Sequence, residues 1–202
     1  MKPYSVMTPP YNPTSGGIKV MWGLYGWLLS KGQTVYVNAQ YDNNDFVAIY
    51  PEIYRGNPAN AKHVVRYILQ EPGMMGSILP TGQFQSGPVE FDKNDKIYVF
   101  SRMYDTWGVD DDHVLFLPII NTYLFKDQKK KRTMKAFYVG KGNNLNTHPA
   151  GAFEITREFA SDQQALADLL NKCQALYCYD PATAMTEIAR LCGCRVVISP
   201  SW

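Results

Sequence analysis

The chain alternates short apolar runs with clusters of glycine, proline, asparagine and aspartate, and its apolar positions follow two spacings. Runs rich in β-branched and aromatic residues predict strands: one ending at Val6 and Met7, then 34–38, 46–50, 96–101 and 114–118. The last is continuously apolar, as strands buried on both faces of a parallel sheet are. Helical spacing links Ile18, Met21, Leu24, Tyr25, Leu28 and Leu29, with Gly32 as the stop. The same spacing at Val64, Val65, Ile68 and Leu69 predicts a second helix over 60–70. Further on, strands are expected at 136–139 and 153–156, and a helix over 162–171 capped by Ser161 or Asp162. The chain then gives a strand at 175–179, a helix over 182–192 and a strand at 195–199. Asp180 suits the N-cap of that last helix, Pro181 its first position, and Gly193 its left-handed terminator.

Short strands alternating with helices imply parallel sheets joined by right-handed crossovers. The expected fold is α/β, with two Rossmann-like parallel-sheet halves and the second half short. The basic run Lys129-Lys130-Lys131-Arg132, preceded by Lys126, marks the boundary, giving halves over 1–130 and 131–202. As a run of like charge it reads as a solvated connection. The length of 202 residues suits one large domain or two small ones, and a net charge of +2 argues for no particular polyanionic partner. Cys173, Cys178, Cys192 and Cys194 lack the spacing of a zinc or thioredoxin-type site, so they are expected to be reduced core thiols. No leader pattern opens the chain, and no apolar segment approaches the roughly 18 residues of a membrane span. A cytoplasmic protein without a membrane span is the expectation.

Three places carry candidate chemistry. Gly16-Gly17 lies between the first strand and first helix, where doubly wound sheets bind ligands, although its spacing is neither a dinucleotide fingerprint nor a Walker loop. Gly140-Lys141-Gly142 follows a strand directly, and a lysine there can swing toward a phosphate as a point charge. The helix start at Ala182-Thr183 offers free N–H groups and a dipole to a diphosphate, and Glu187 lies far enough along that helix to take ribose hydroxyls. Each glycine turn reads equally well as a plain tight turn, and a helical carboxylate as a solvated one. Asp110-Asp111-Asp112 with His113 has the composition of a metal cluster, but it precedes its strand, so a solvated loop is expected. His63 and His148 have no sequence neighbour that suggests a triad, and no serine-hydrolase elbow is present.

Together, Pro13-Thr-Ser-Gly-Gly-Ile-Lys19, Tyr138-Val-Gly-Lys-Gly142 and the segment from Leu176 to Val197 resemble retaining glycosyltransferases of GT-B architecture. The stretches 49–58 and 63–73 resemble acceptor-half segments of the same group. The resemblance implies transfer of a sugar from a UDP- or GDP-type donor, with no metal and no other cofactor. It assigns donor contacts to Gly16, Gly17, Lys141, Arg157, Tyr179, Ala182, Thr183 and Glu187, and catalytic roles to Lys141 and Asp180. In that group a pair of glutamates faces the donor. Glu187 matches the second, while Tyr179 stands at the place of the first, with Asp180 beside it. The retaining chemistry is attributed to front-face attack with the leaving phosphate as base, so no strong protein base is required. The implied acceptor is a glycan or small molecule. Two alternatives remain open: glycosylation of modified DNA bases, which the basic run favours, and a non-catalytic nucleotide- or glycan-binding module, which Tyr179 and the short second half favour. An exposed edge on that short half would also favour homo-oligomers.

Overall fold

Parallel sheets organise both parts of the chain. The computed structural model describes residues 2–74, 76–180 and 183–199, and the chain divides into two units, Met1–Ile119 and Ile120–Trp202.

In the first unit, β1 (Tyr4–Val6) is followed by α1 (Gly16–Ser30), which returns the chain to β2 (Val35–Val37). β3 (Val47–Pro51) and β4 (His63–Ile68) come next, then a small hairpin of β5 (Ser77–Ile78) and β6 (Phe84–Gln85), and finally β7 (Lys96–Val99). The five-stranded sheet runs β2-β1-β3-β4-β7 with every neighbouring pair parallel, so strand order reverses between β1 and β3. The apolar stripe of α1 explains its packing: Val20, Met21, Leu24 and Leu28 are buried against Val6, Val35, Ile49 and Tyr67. Residues of opposite parity, Ala48 and Tyr50, join Phe46 and Ala61 in a second cluster, as side chains alternate along a strand.

Two expectations fail here. The helix expected over 60–70 is β4. Its apolar residues satisfy helical spacing only because both faces of this strand are covered: Val65 and Tyr67 belong to the α1-side cluster, while Val64 packs on the other. A central position between β3 and β7 rewards the β-branched residues there. Between Val64 and Tyr67 the chain buries Arg66, only 1% exposed. Its Nε pairs with Asp95 at 2.7 Å, Nη1 donates to Tyr54 O at 2.9 Å and Nη2 to Gly56 O at 2.5 Å, and the guanidinium lies 5.0 Å from the Tyr50 ring and 4.9 Å from that of Phe91. The strand expected at 114–118 is instead an extended segment held by one bridge between Val99 and Val114. Leu115 and Leu117 pack on the α1-side cluster, whereas Phe116 between them is 65% exposed, so the segment is covered on one side only.

The second unit begins at Ile120 rather than at residue 131, because Ile120, Leu124 and Phe125 pack into the second core. Its elements are β8 (Met134–Tyr138), β9 (Phe153–Glu154), α2 (Arg157–Ser161), α3 (Gln163–Lys172), β10 (Cys173–Cys178), α4 (Met185–Leu191) and β11 (Arg195–Ile198). The sheet runs β11-β10-β8-β9, again parallel throughout, and its order reverses between β8 and β10. Leu166, Ala167, Leu169 and Leu170 of α3 and Ile188 and Ala189 of α4 share one core with Ala136, Tyr138, Leu176 and Cys178. Both helices therefore cover the same face. The protein is thus α/β with two Rossmann-like parallel-sheet halves, the second smaller.

The basic run keeps its lysines exposed, as expected, and is anchored at its end by Arg132. Arg132 donates through Nη1 to Leu170 O at 3.2 Å, Asn171 O at 3.1 Å and Cys173 O at 3.4 Å, and through Nη2 to Cys192 O at 2.7 Å and Asp127 at 2.6 Å. Lys129 pairs with Asp127 and Lys130 with Asp168. Gly193, at φ 75°, ends α4 as expected, and a Cβ there would stand 2.5 Å from the Arg132 guanidinium. All four cysteines are free and buried, and burial pushes the thiols of Cys173, Cys178 and Cys192 up to about 11 and that of Cys194 to about 12. Among the described residues no helix is long and apolar enough to cross a membrane.

Candidate functional site at the carboxyl edge of the second sheet

In open α/β sheets ligands bind outside the carboxyl ends of the strands, where strand order reverses. In the second unit that point lies between β8 and β10. β8 runs out through Val139 into the turn Gly140-Lys141-Gly142, which Gly142 closes by donating its N–H to Val139 O at 2.9 Å. β10 runs out into Tyr179 and Asp180, and Tyr179 N–H donates to Tyr138 O at 2.9 Å. The two exits are locked together: Lys141 N–H donates to Asp180 Oδ2 at 3.0 Å. The lock requires glycine on both sides of the lysine. Gly140 sits at φ 59°, where a Cβ would meet Asp180 Oδ2 at 2.5 Å, and a Cβ on Gly142 would meet Tyr179 O at 2.0 Å. The flanking glycines are thus needed for close approach, and they carry the Lys141 backbone onto a carboxylate that is only 3% exposed.

Other groups gather around Tyr138. Burial pushes its phenol up and the Asp180 carboxylate adds to the rise, while the Arg157 charge and a hydrogen bond with Thr183 oppose it. Arg157 opens α2 directly after β9, capped by Thr156, whose Oγ1 accepts from Phe159 N–H at 3.0 Å. Asp180 and Glu187 both raise the thiol of Cys178 further through their charge. Glu187 is exposed in the first turn of α4 and accepts from Thr186 Oγ1 at 3.1 Å. This edge therefore assembles Lys141, Arg157, Asp180, Thr183 and Glu187: two cations, two carboxylates and a hydroxyl.

The last helix differs from its expected form. It begins at Met185 with Ala184 as its cap, and no side chain caps it. Asp180 Oδ2 accepts from the Lys141 N–H, and Thr183 Oγ1 takes Met185 N–H at 3.3 Å. Pro181 and Ala182 lie outside the described residues. A helix of seven residues starting at Met185 removes the argument for a diphosphate held by the dipole at 182–183. What remains at this edge is the pair of cations.

Gly16 and Gly17 belong to the first unit and form the first turn of α1 rather than a loop before it. Ser15 is the cap, its Oγ accepting from Ile18 N–H at 3.4 Å. Gly17 leaves room for Leu69, whose Cδ1 would lie 3.6 Å from a Cβ there. At the first unit's reversal point, Thr8 N–H and C=O both pair with the Asn38 side-chain amide, and the buried Glu52 carboxylate accepts from Leu69 N–H. The triple aspartate, expected in a loop, forms a 3-10 turn over Asp111–His113 with Asp110 before it, and Asp111 and Asp105 pair with Arg102; among the described residues no group of three metal-ligating side chains forms.

One participant escaped the sequence reading. His148, in the loop after β8, stacks on Phe137 with ring centroids 3.8 Å apart and 6° between planes, and its Nδ1 lies 2.7 Å from the Tyr179 hydroxyl. Thirty-one residues separate that pair, so no local spacing announces it. The only sequence signal was the tyrosine itself, standing where the resemblance expects a glutamate.

Compared with known protein families, curated proteins and solved structures, the chain matches none.

Proposed function

We propose that the protein is a metal-independent glycosyltransferase that uses a nucleotide-diphosphate sugar, of UDP or GDP type, and binds its diphosphate at the carboxyl edge of the second sheet. The observation that carries this reading is the lock between the Lys141 amide and Asp180 at the point of strand reversal, which holds a lysine between two obligatory glycines. Lys141 and Arg157 are the charges that would neutralise the leaving diphosphate. Positioned cations of this kind stabilise charge developing in a transition state without reorganising. Glu187 takes the ribose hydroxyls, and Asp180 positions the lysine turn. Tyr179 does not occupy the sugar-facing role, since its hydroxyl is fully buried against Thr147 and His148. The basic run that favours the DNA-modifying alternative is engaged in part, Lys129 with Asp127, Lys130 with Asp168 and Arg132 with Asp127 and backbone carbonyls, while its lysines stay exposed.

The test is a thermal-shift screen with UDP, GDP and their sugars on the wild type and on Glu187→Ala, followed by donor hydrolysis without acceptor. One nucleotide at about 100 times its Kd should stabilise the protein by about 2.7 kcal/mol. The Glu187→Ala protein should lose most of that shift while keeping its own melting temperature. Stabilisation without donor turnover would leave a binding module, and no shift with any nucleotide would end the reading.

A further inference from the structure

The hydroxyl of Tyr179 has an unusual set of neighbours. It accepts N–H bonds from Thr147 at 3.0 Å and from His148 at 3.1 Å, which fills both of its lone pairs. Its own proton must then be donated, and the shortest partner is His148 Nδ1 at 2.7 Å; Thr147 Oγ1 is farther, at 3.3 Å, and is within 3.2 Å of Ser199 Oγ. An Nδ1 that accepts leaves the imidazole proton on Nε2. The ring itself is held by its stacking on Phe137, at the end of β8. His148 is half-buried, and its Nε2 has no partner among the described residues.

We propose that Tyr179 is a positioning residue that holds His148 as the neutral Nε2–H tautomer, and that His148 is a further ligand-binding residue, donating this N–H to an anionic oxygen of the bound diphosphate. The second part rests on the site proposed above. Tyr179 then has a role of its own at the place of the expected glutamate: it replaces a ligand contact by the orientation of a second side chain. The donor it sets up is uncharged and complements the cations of Lys141 and Arg157.

The experiment is long-range 1H–15N correlation spectroscopy of the imidazole rings in the full chain. There are three histidines, and His148→Gln assigns the signals. The expected spectrum shows His148 with its proton on Nε2, and Tyr179→Phe shifts it to a mixture of tautomers. On titration with UDP, GDP or inorganic pyrophosphate, the His148 Nε2 signal and the Lys141 amide signal should move together. His148→Ala should weaken binding about tenfold, as loss of a hydrogen bond to a charged group does, with part recovered in His148→Gln. A proton on Nδ1 in the wild type overturns the proposal, and that reading does not depend on whether Tyr179→Phe folds. Movement of the Lys141 amide with a still His148 overturns it while leaving the nucleotide site standing. If neither moves with any probe, both fall.

Discussion

The two units share a plan and differ in what they place at its end. Each is a parallel sheet whose strand order reverses once, and each holds a largely enclosed arginine that reaches more than one backbone carbonyl: Arg66 in the first unit, Arg132 in the second. At the reversal point of the first, the polar groups are consumed by the fold. Asn38 pairs with both backbone groups of Thr8, Glu52 caps the strand exit at Leu69, and Thr8 Oγ1 is buried with no hydrogen-bond partner among the described residues. At the reversal point of the second, one carboxylate orders a glycine–lysine–glycine turn and exposed charges remain on both sides of it. Topology therefore indicates where a ligand can bind, while the side chains indicate whether the place is still open.

The largest way to break this comparison is at the arginines. Arg66→Ala leaves the buried Asp95 carboxylate without its cation, and removing one partner of a buried pair typically costs about 3–5 kcal/mol. Arg132 is more exposed and its partners are mostly carbonyls, so Arg132→Ala should cost about 2–3 kcal/mol. Urea unfolding followed by hydrogen exchange should assign the first loss to residues 2–119 and the second to residues 120–199. Equal losses spread over both units would mean that the two arginines do not act locally.

Arg66 also shows where the sequence stops being legible. The segment around it is apolar at helical spacing, and a charged residue there looks like the wet side of a helix. Only the three-dimensional enclosure by Tyr50, Phe91 and Asp95 makes it a buried strand residue. The second unit was far more readable, because its strands, the helix α3 and the terminator Gly193 are each specified by neighbours in sequence. Its site was legible in part: the lysine between glycines announces itself. The pairing of Asp180 with that turn, and of His148 with Tyr179, depends on contacts across 39 and 31 residues. The hairpin of β5 and β6 and the short α2 carry no strong periodicity and escaped notice for that reason.

A second difference between the units is titratable. All four thiols belong to the second unit, and burial raises each of them. A raised folded value means that the neutral thiol is favoured in the native state. That contribution is fully present below the unfolded thiol value of about 8.5 and is lost as pH rises toward about 11, because the unfolded chain ionises first. The first unit has no cysteine, and apart from the Arg102 guanidinium its raised groups are phenols (Tyr41, Tyr50, Tyr54 and Tyr67) that begin to ionise in the unfolded chain only near pH 10. Between about pH 8 and about pH 10 the second unit should weaken first. Unfolding midpoints read from thiol labelling should fall before those read from Trp22 and Trp27 fluorescence, and the reverse order would contradict the burial of the thiols.

The smallest effect separates two aspartates that look alike in sequence. Asp162 and Asp180 each precede a helical pattern with the spacing of an N-cap. Asp162 is one: its Oδ1 accepts from Gln164 N–H at 3.0 Å and Ala165 N–H at 2.9 Å at the start of α3. Asp180 does not cap α4, which begins at Met185 behind Ala184 with no side-chain cap, and its Oδ2 accepts from the Lys141 N–H. Asp162→Ala should therefore cost about 1 kcal/mol, Asp162→Ser should restore most of it, and nucleotide affinity should not change. Asp180→Ala should leave the helical signal of residues 185–191 intact and instead speed hydrogen exchange at the Lys141 amide. If Asp180→Ala unravelled α4 while the Lys141 amide stayed protected, the carboxylate would be a cap after all. The turn between β8 and its glycines would then need another explanation for its fixed approach to β10.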